Sequence, residues 1–176
     1  MEASRLVYMR ASRVVAGLAV LLAVAAPAFA GSSTSNFNVT ASVASNCTIS
    51  TTSIAFGAYD PVVANATTPL DATGLVTITC TKGAATTIGL NAGNNSANAT
   101  GTTRAMKSGT DYLSYEVYQD SGRATLWGNS GADLFTPAVA PNKNPRTLTT
   151  YGRIPAGQDV PAGVSYTDTV TATVNF

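Results

Sequence analysis

The chain has 176 residues, 11% of them charged and none of them histidine, with a formal net charge of +1 at pH 7. Charge so low and so scattered excludes electrostatic capture of nucleic acid or of an anionic membrane. The lack of histidine removes the commonest general base and metal ligand.

Residues 1–30 read as a signal peptide. Arg5, Arg10 and Arg13 form a basic start, Val14 to Ala26 is apolar, and Ala28-Phe29-Ala30 is a small-x-small cleavage site. The apolar run is about 13 residues, short of the roughly 20 that span a bilayer, and no other segment comes closer. Without this segment seven basic and eight acidic residues remain, none of the basic ones clustered. The remainder has the length of one domain with a core of its own.

The next stretch alternates. Phe37, Val39, Ala41 and Val43 are interleaved with Asn36, Asn38, Thr40 and Ser42. A period of two marks a strand with one apolar face. Residues 34–44 hold no proline and no charge, so as a strand they lack the devices that protect a sheet edge. Fully extended they would span roughly 36 Å. Burial of Phe37, Val39 and Val43 would contribute on the order of 5–9 kcal/mol before ordering costs. The segment reads equally as the first strand of its own domain and as a strand for exchange. Its position ahead of Cys47, with Ser45-Asn46 as a hinge, favours exchange, because a core anchored at Cys47 survives its departure.

Beyond it, runs rich in Val, Ile, Thr, Tyr and Phe recur between Gly, Pro and Asn clusters, and almost nothing reads as helix. That pattern belongs to an all-β sandwich or barrel. Strands are expected near 36–44, 46–50, 53–59, 73–81, 85–91, 112–119, 124–127, 147–154 and 164–176. In Gly74 to Cys80, the residues Val76, Ile78 and Cys80 share one face. Residues 91–103 and 135–146 read as loops, the second because Pro137, Pro141 and Pro145 cannot donate to an internal ladder. In the closing stretch Tyr166, Val170, Ala172, Val174 and Phe176 share a face on which Asp168 is the only polar intruder.

Cys47 and Cys80, an even count in an exported chain, favour a disulfide. Closing that loop is worth roughly 3–4 kcal/mol in the chain-entropy model. A two-thiol metal site lacks further ligands, since there is no histidine and no CxxC pair. No nucleophile elbow, phosphate loop, dinucleotide fingerprint or calcium loop occurs, so no catalytic residue, metal or cofactor is expected. Asp60, Asp71, Asp111 and Asp133 sit beside Gly, Pro or Thr, where turn formation accounts for them. Trp127 could be a sugar-stacking platform, but a core residue is the simpler reading.

Taken together, several segments resemble the spore coat protein U domain family, which includes subunits of archaic (Csu-type) chaperone–usher pili. They are Asn46-Cys47-Thr48-Ile49 with the alternating stretch before it, Ile54 to Asp60, Gly74 to Gly83, Leu90 to Gly93 and Arg104 to Met106. Leu113 to Asp120, Trp127-Gly128, Tyr151 to Gln158 and Gly163 to Asp168 complete the set. The resemblance implies an immunoglobulin-like β-sandwich lacking its last strand, which a periplasmic chaperone supplies until the next subunit's N-terminal segment replaces it at an outer-membrane usher. It makes 31–45 a donor-strand extension and 46–176 the sandwich domain. Phe37, Val39, Ala41 and Val43 become the donor face. Val170, Ala172, Val174 and Phe176 border the acceptor groove, and Cys47 and Cys80 are the disulfide. The function implied is a rod-type subunit of a surface fibre serving adhesion or biofilm formation. The alternatives are a spore-coat or matrix protein of the same family, and a monomeric secreted binding module using the two loops.

Overall fold

A computed structural model describes residues 29–162 and 164–176, so the expected signal peptide falls largely outside the described residues. Contacts divide the chain into two parts between Thr40 and Ala41. In the first, residues 29–40 form no regular structure and are exposed.

Among its described residues the second part contains seven strands: β1 (Cys47–Thr52), β2 (Leu70–Cys80), β3 (Thr87–Leu90), β4 (Arg104–Ser108), β5 (Asp111–Tyr118), β6 (Arg146–Ile154) and β7 (Ala172–Asn175). Two single-turn 3-10 helices, Ser96–Asn98 and Gly131–Asp133, lie in the loops. One sheet has the order β1-β2-β6-β5-β4 and the other pairs β3 with β7, every ladder antiparallel.

The alternation places the core. On β2, Val76, Ile78 and Cys80 are buried between half-exposed Thr77 and Thr79. They pack with Ile88 and Leu90 of β3, Leu113, Tyr115 and Val117 of β5, and Trp127. Trp127 is wholly buried; its indole N–H donates to the Ile88 carbonyl at 2.9 Å and its ring lies 5.0 Å from that of Phe135. It is a core residue and no sugar platform.

β5 is buried on both faces from Leu113 to Val117. Its outer residues are covered by polar contacts, with Thr100 N–H on the Ser114 hydroxyl and Thr103 on the Glu116 carboxylate. Glu116 also pairs with Arg104. The Arg104 guanidinium is buried as well and donates to the carbonyls of Asn91, Leu90 and Trp127. A buried ion pair persists only when its remaining donors and acceptors are satisfied, and these nearly are.

Four expected strands differ. Residues 36–44 form none. Residues 53–59 form none either, although Ile54 and Phe56 are turned inward and half-buried between exposed neighbours. Their side chains occupy the space above Gly74 and Gly152, where an added Cβ would stand 2.8 Å from Ile54 and 2.7 Å from Phe56. They therefore lie on a sheet face without joining a ladder. Residues 124–127 contribute a single bridge, Leu126 to Tyr118. The strand expected over 164–176 is confined to β7, with one earlier bridge from Thr167 to Lys107. β4 is an addition that the list of expected strands lacks.

Candidate strand-acceptor groove

The C-terminal stretch is held along one edge. Thr167 and Lys107 exchange backbone hydrogen bonds of 3.1 and 2.8 Å. Asn91 N–H donates to the Thr171 carbonyl at 3.0 Å, and the Asn91 side chain accepts from Thr171 N–H at 2.8 Å. β7 then pairs with β3, Leu90 opposite Ala172 and Ile88 opposite Val174.

In an antiparallel ladder successive residues point their backbone groups alternately toward and away from the partner. Ile88 and Leu90 turn theirs away from β7, their N–H groups donating to the carbonyls of Phe135 and Gly128 at 2.8 and 2.9 Å. The outer edge of β3 is therefore occupied. By the same alternation Ala172 and Val174 aim their N–H and C=O groups away from β3, at an edge with no strand partner among the described residues.

Beside this edge lies a groove of about 430 Å³. Its lining comes from Thr51 and Thr52 at the end of β1, from Ser53, Ile54 and Phe56 just after it, and from Tyr166–Val170 with Ala172, over the deeply buried Val76, Leu90 and Val117. Side chains here alternate as the sequence does: Tyr166, Asp168, Val170, Ala172 and Val174 are half-buried, while Thr167, Thr169, Thr171 and Thr173 are exposed. Val170 and Ala172 line the groove, Val174 packs against the core, and Phe176 lies beyond β7 at 57% exposure.

Asp168 is not an unexplained intruder. Its carboxylate accepts from Asn94 N–H and the Asn95 amide, both at 2.9 Å, and from the Tyr115 hydroxyl at 2.7 Å. Burial, and then the hydrogen bond to Asp168, raises the Tyr115 phenol well above its ordinary range. No sequence signal links these residues, which lie 53 to 74 positions from Asp168.

The residues of the N-terminal alternation are bare. Phe37 and Val39 are 85% and 83% exposed, Val43 is 84% exposed, and Ala41 is exposed too. At Cys47 the chain enters the sandwich: a disulfide joins Cys47 to Cys80, directly opposite in the β1–β2 ladder. The Thr81 hydroxyl accepts from Asn46 N–H at 3.2 Å and donates to the Ala44 carbonyl at 3.3 Å. Among the described residues no group of acidic, cysteine or histidine side chains could hold a metal ion, and no helix is long and apolar enough to cross a membrane.

The architecture is that of an all-β sandwich, and residues 33–173 match the model of the Spore Coat Protein U domain. The chain belongs to that family. Protein U of Myxococcus xanthus is 38% identical over 164 residues, covering 85% of this chain and 88% of that protein. Among solved structures, the chain is similar to one in the chaperone–tip adhesion subunit pre-assembly complex (CsuC–CsuE) of the archaic chaperone–usher Csu pili of Acinetobacter baumannii. The identity is 26% and the TM-score 0.53, over 76% of this chain. The match spans 40% of that chain's length. The fold is thus immunoglobulin-like, as the resemblance implies.

Proposed function

We propose that this protein is a structural subunit of a surface fibre, a rod-type pilus subunit that joins its neighbour by β-strand addition. Residues 1–30 direct export, 31–45 are the donor extension and 46–176 the acceptor sandwich. In a fibre the donor of one copy lies along the free edge of β7 in the next, with Phe37, Val39, Ala41 and Val43 turned into the groove. Ladder bonds supply affinity and alternate side chains supply specificity. Before assembly a periplasmic chaperone covers the edge, and an outer-membrane usher hosts the exchange. The assembled fibre serves adhesion or biofilm formation, and the role is structural rather than enzymatic.

The observation that carries this reading is the pairing of opposites within one sequence. There is an uncharged, alternating segment with no ladder of its own, and, among the described residues, a strand edge without a ladder partner beside a groove floored by Val76, Leu90 and Val117. Likeness to a subunit complex from chaperone–usher pili supports it. A second reading, a coat protein whose copies associate by the same exchange, is favoured by membership of the Spore Coat Protein U domain family and by the 38% identity to Protein U. Neighbouring chaperone and usher genes distinguish the two.

The test is assembly with and without residues 31–44, the protein being co-produced with its candidate chaperone. Expected are heat-labile ladders in unheated SDS gels from the intact protein, and a chaperone-bound monomer from the truncated one. If both run as lone stable monomers on size exclusion, the subunit reading fails and a self-contained binding module replaces it.

A further inference from the structure

Among the described residues that line the groove, Asp168 is the one that carries a charge. It stands where the C-terminal stretch changes sheets. Thr167 is bonded to β4 of the five-stranded sheet, and Thr171 is bonded to Asn91 at the end of β3 in the other. Asp168, Thr169 and Val170 cross between the two layers. Among the described residues they make no backbone hydrogen bond of their own. A strand that switches sheets does so at a bend, and nothing in its backbone fixes where the bend falls.

The side chain of Asp168 supplies the missing constraint. One carboxylate oxygen takes the Asn94 N–H and the Asn95 amide, and the other takes the Tyr115 hydroxyl. The Asn94–Asn95 loop is held in turn by Asn91, whose side-chain oxygen accepts from Gly93 N–H at 3.1 Å and from Thr171 N–H. Gly93 leaves room for the carboxylate. It sits at φ +77°, and a Cβ there would fall 1.9 Å from the Asp168 oxygen. Among the described residues, the fastenings of residues 167–175 run to the side chain of Asp168 or to the inner edge of the stretch. The outer edge stays clear while the stretch is fixed in place.

We propose that Asp168 is a positioning residue that sets the register of the acceptor strand. Held by Asn94, Asn95 and Tyr115, it fixes which residues leave β4 and which join β3. Ala172 and Val174 thereby present their outward backbone groups at one defined height along the groove. Because a slip of one residue would exchange the apolar face for the threonine face, a single register is what a donor strand needs. The inference rests on the strand-addition reading for its consequence, and on the clasp geometry alone for the ordering of residues 167–175.

The test compares the full chain with Asp168→Asn, which keeps shape and removes the charged acceptor, and with Asp168→Glu and Gly93→Ala. Two quantities are read. The first is amide hydrogen exchange resolved by segment. The second is cross-linking to an excess of a synthetic peptide of residues 34–44 carrying a diazirine in place of the Val39 side chain. In Asp168→Asn, exchange over 167–175 is expected to quicken about ten-fold, as loss of charge-assisted hydrogen bonds predicts. Exchange in β1, β2 and β6 should hold, while cross-links spread from one register to several. Gly93→Ala should reproduce this pattern, and Asp168→Glu should restore part of the single register.

Unchanged exchange over 167–175, or one register retained in Asp168→Asn, overturns the proposal. So does a uniform quickening in all strands, which would make Asp168 an ordinary contributor to stability. If the unaltered chain captures no peptide, strand addition fails and the register consequence falls with it, even where Asp168→Asn loosens residues 167–175. If the unaltered chain captures peptide in one register and Asp168→Asn does too, strand addition stands and the register proposal alone is overturned.

Discussion

Residues 34–44 and 166–176 carry the same alternation of apolar and polar side chains, and they meet different fates. In the first, Phe37, Val39 and Val43 are almost fully exposed and no ladder forms. In the second, Val170, Ala172 and Val174 are half-buried and the backbone is bonded to Lys107, Asn91 and β3. A period of two thus reports which side chains share a face, and says nothing of whether a neighbour is present. What separates the two segments is lateral fastening: the second has Asn91 and Asp168 to seat it, and the first has only the Thr81 hydroxyl on the Ala44 carbonyl at its very end.

Each half of this comparison can be broken separately. The largest effect is expected at Arg104, which holds the carbonyls of Leu90 and Asn91 at the end of β3 that seats the C-terminal stretch. Arg104→Ala leaves the Glu116 carboxylate buried without its partner and should cost about 3–5 kcal/mol in denaturant unfolding. Replacing both Cys47 and Cys80 by Ser should cost about 3–4 kcal/mol by the same measurement. That change loosens the root of the N-terminal segment and leaves the seat of the C-terminal one intact, so peptide capture by the groove should persist.

A matched pair of substitutions sharpens the contrast directly. Val174→Ser, at a half-buried position, should lower stability by roughly 1–2 kcal/mol. Val39→Ser should change it by less than about 0.5 kcal/mol while weakening assembly. Equal losses from the two would mean that residues 34–44 are seated in their own domain.

A small, pH-dependent effect concerns Asp71, which accepts from Arg153 at 2.7 and 2.9 Å and lies 3.1 Å from Arg123. Its hydrogen bonds to Arg153 hold its pKa below the ordinary 3.8, with the charge of Arg123 assisting. The stabilisation is therefore complete above that ordinary value and disappears as the pH falls through the lower folded one. The carboxylate is about a third exposed, so solvent screening limits the effect to under ~1 kcal/mol. Asp71→Asn should lower the unfolding midpoint slightly at pH 7, and the difference should fade as the pH falls through the lowered folded value.

Much of the sandwich was legible because its strands alternate or run between clear turn residues, as β2, β5 and β6 do. β1 and β3 were legible to within a few residues. The stretch 53–59 misleads because Ile54 and Phe56 alternate for a different reason, to rest on Gly74 and Gly152 across the sheet. β4 escapes because Arg104 and Lys107 give a short strand no apolar face, and the burial of Arg104 depends on Glu116 and on carbonyls distant in sequence. The groove was legible only by family resemblance. Its free edge follows from where Phe135 and Gly128 bond to β3, which no local pattern encodes. Asp168 stood out as an anomaly in the alternation, but its three partners are brought together only by the fold.

The disulfide at the entrance to the sandwich has a mechanical consequence. Tension applied to the chain ahead of Cys47 passes through the sulfur atoms to Cys80, at the end of β2, without crossing the hydrogen bonds of β1. β2 is flanked by β1 and β6. A pull therefore loads the interior of the five-stranded sheet, and the edge strand cannot be peeled off first. After reduction the same pull would unzip β1 one pair at a time, and stretching single molecules with and without a reductant should show yielding at a much lower force in the second case.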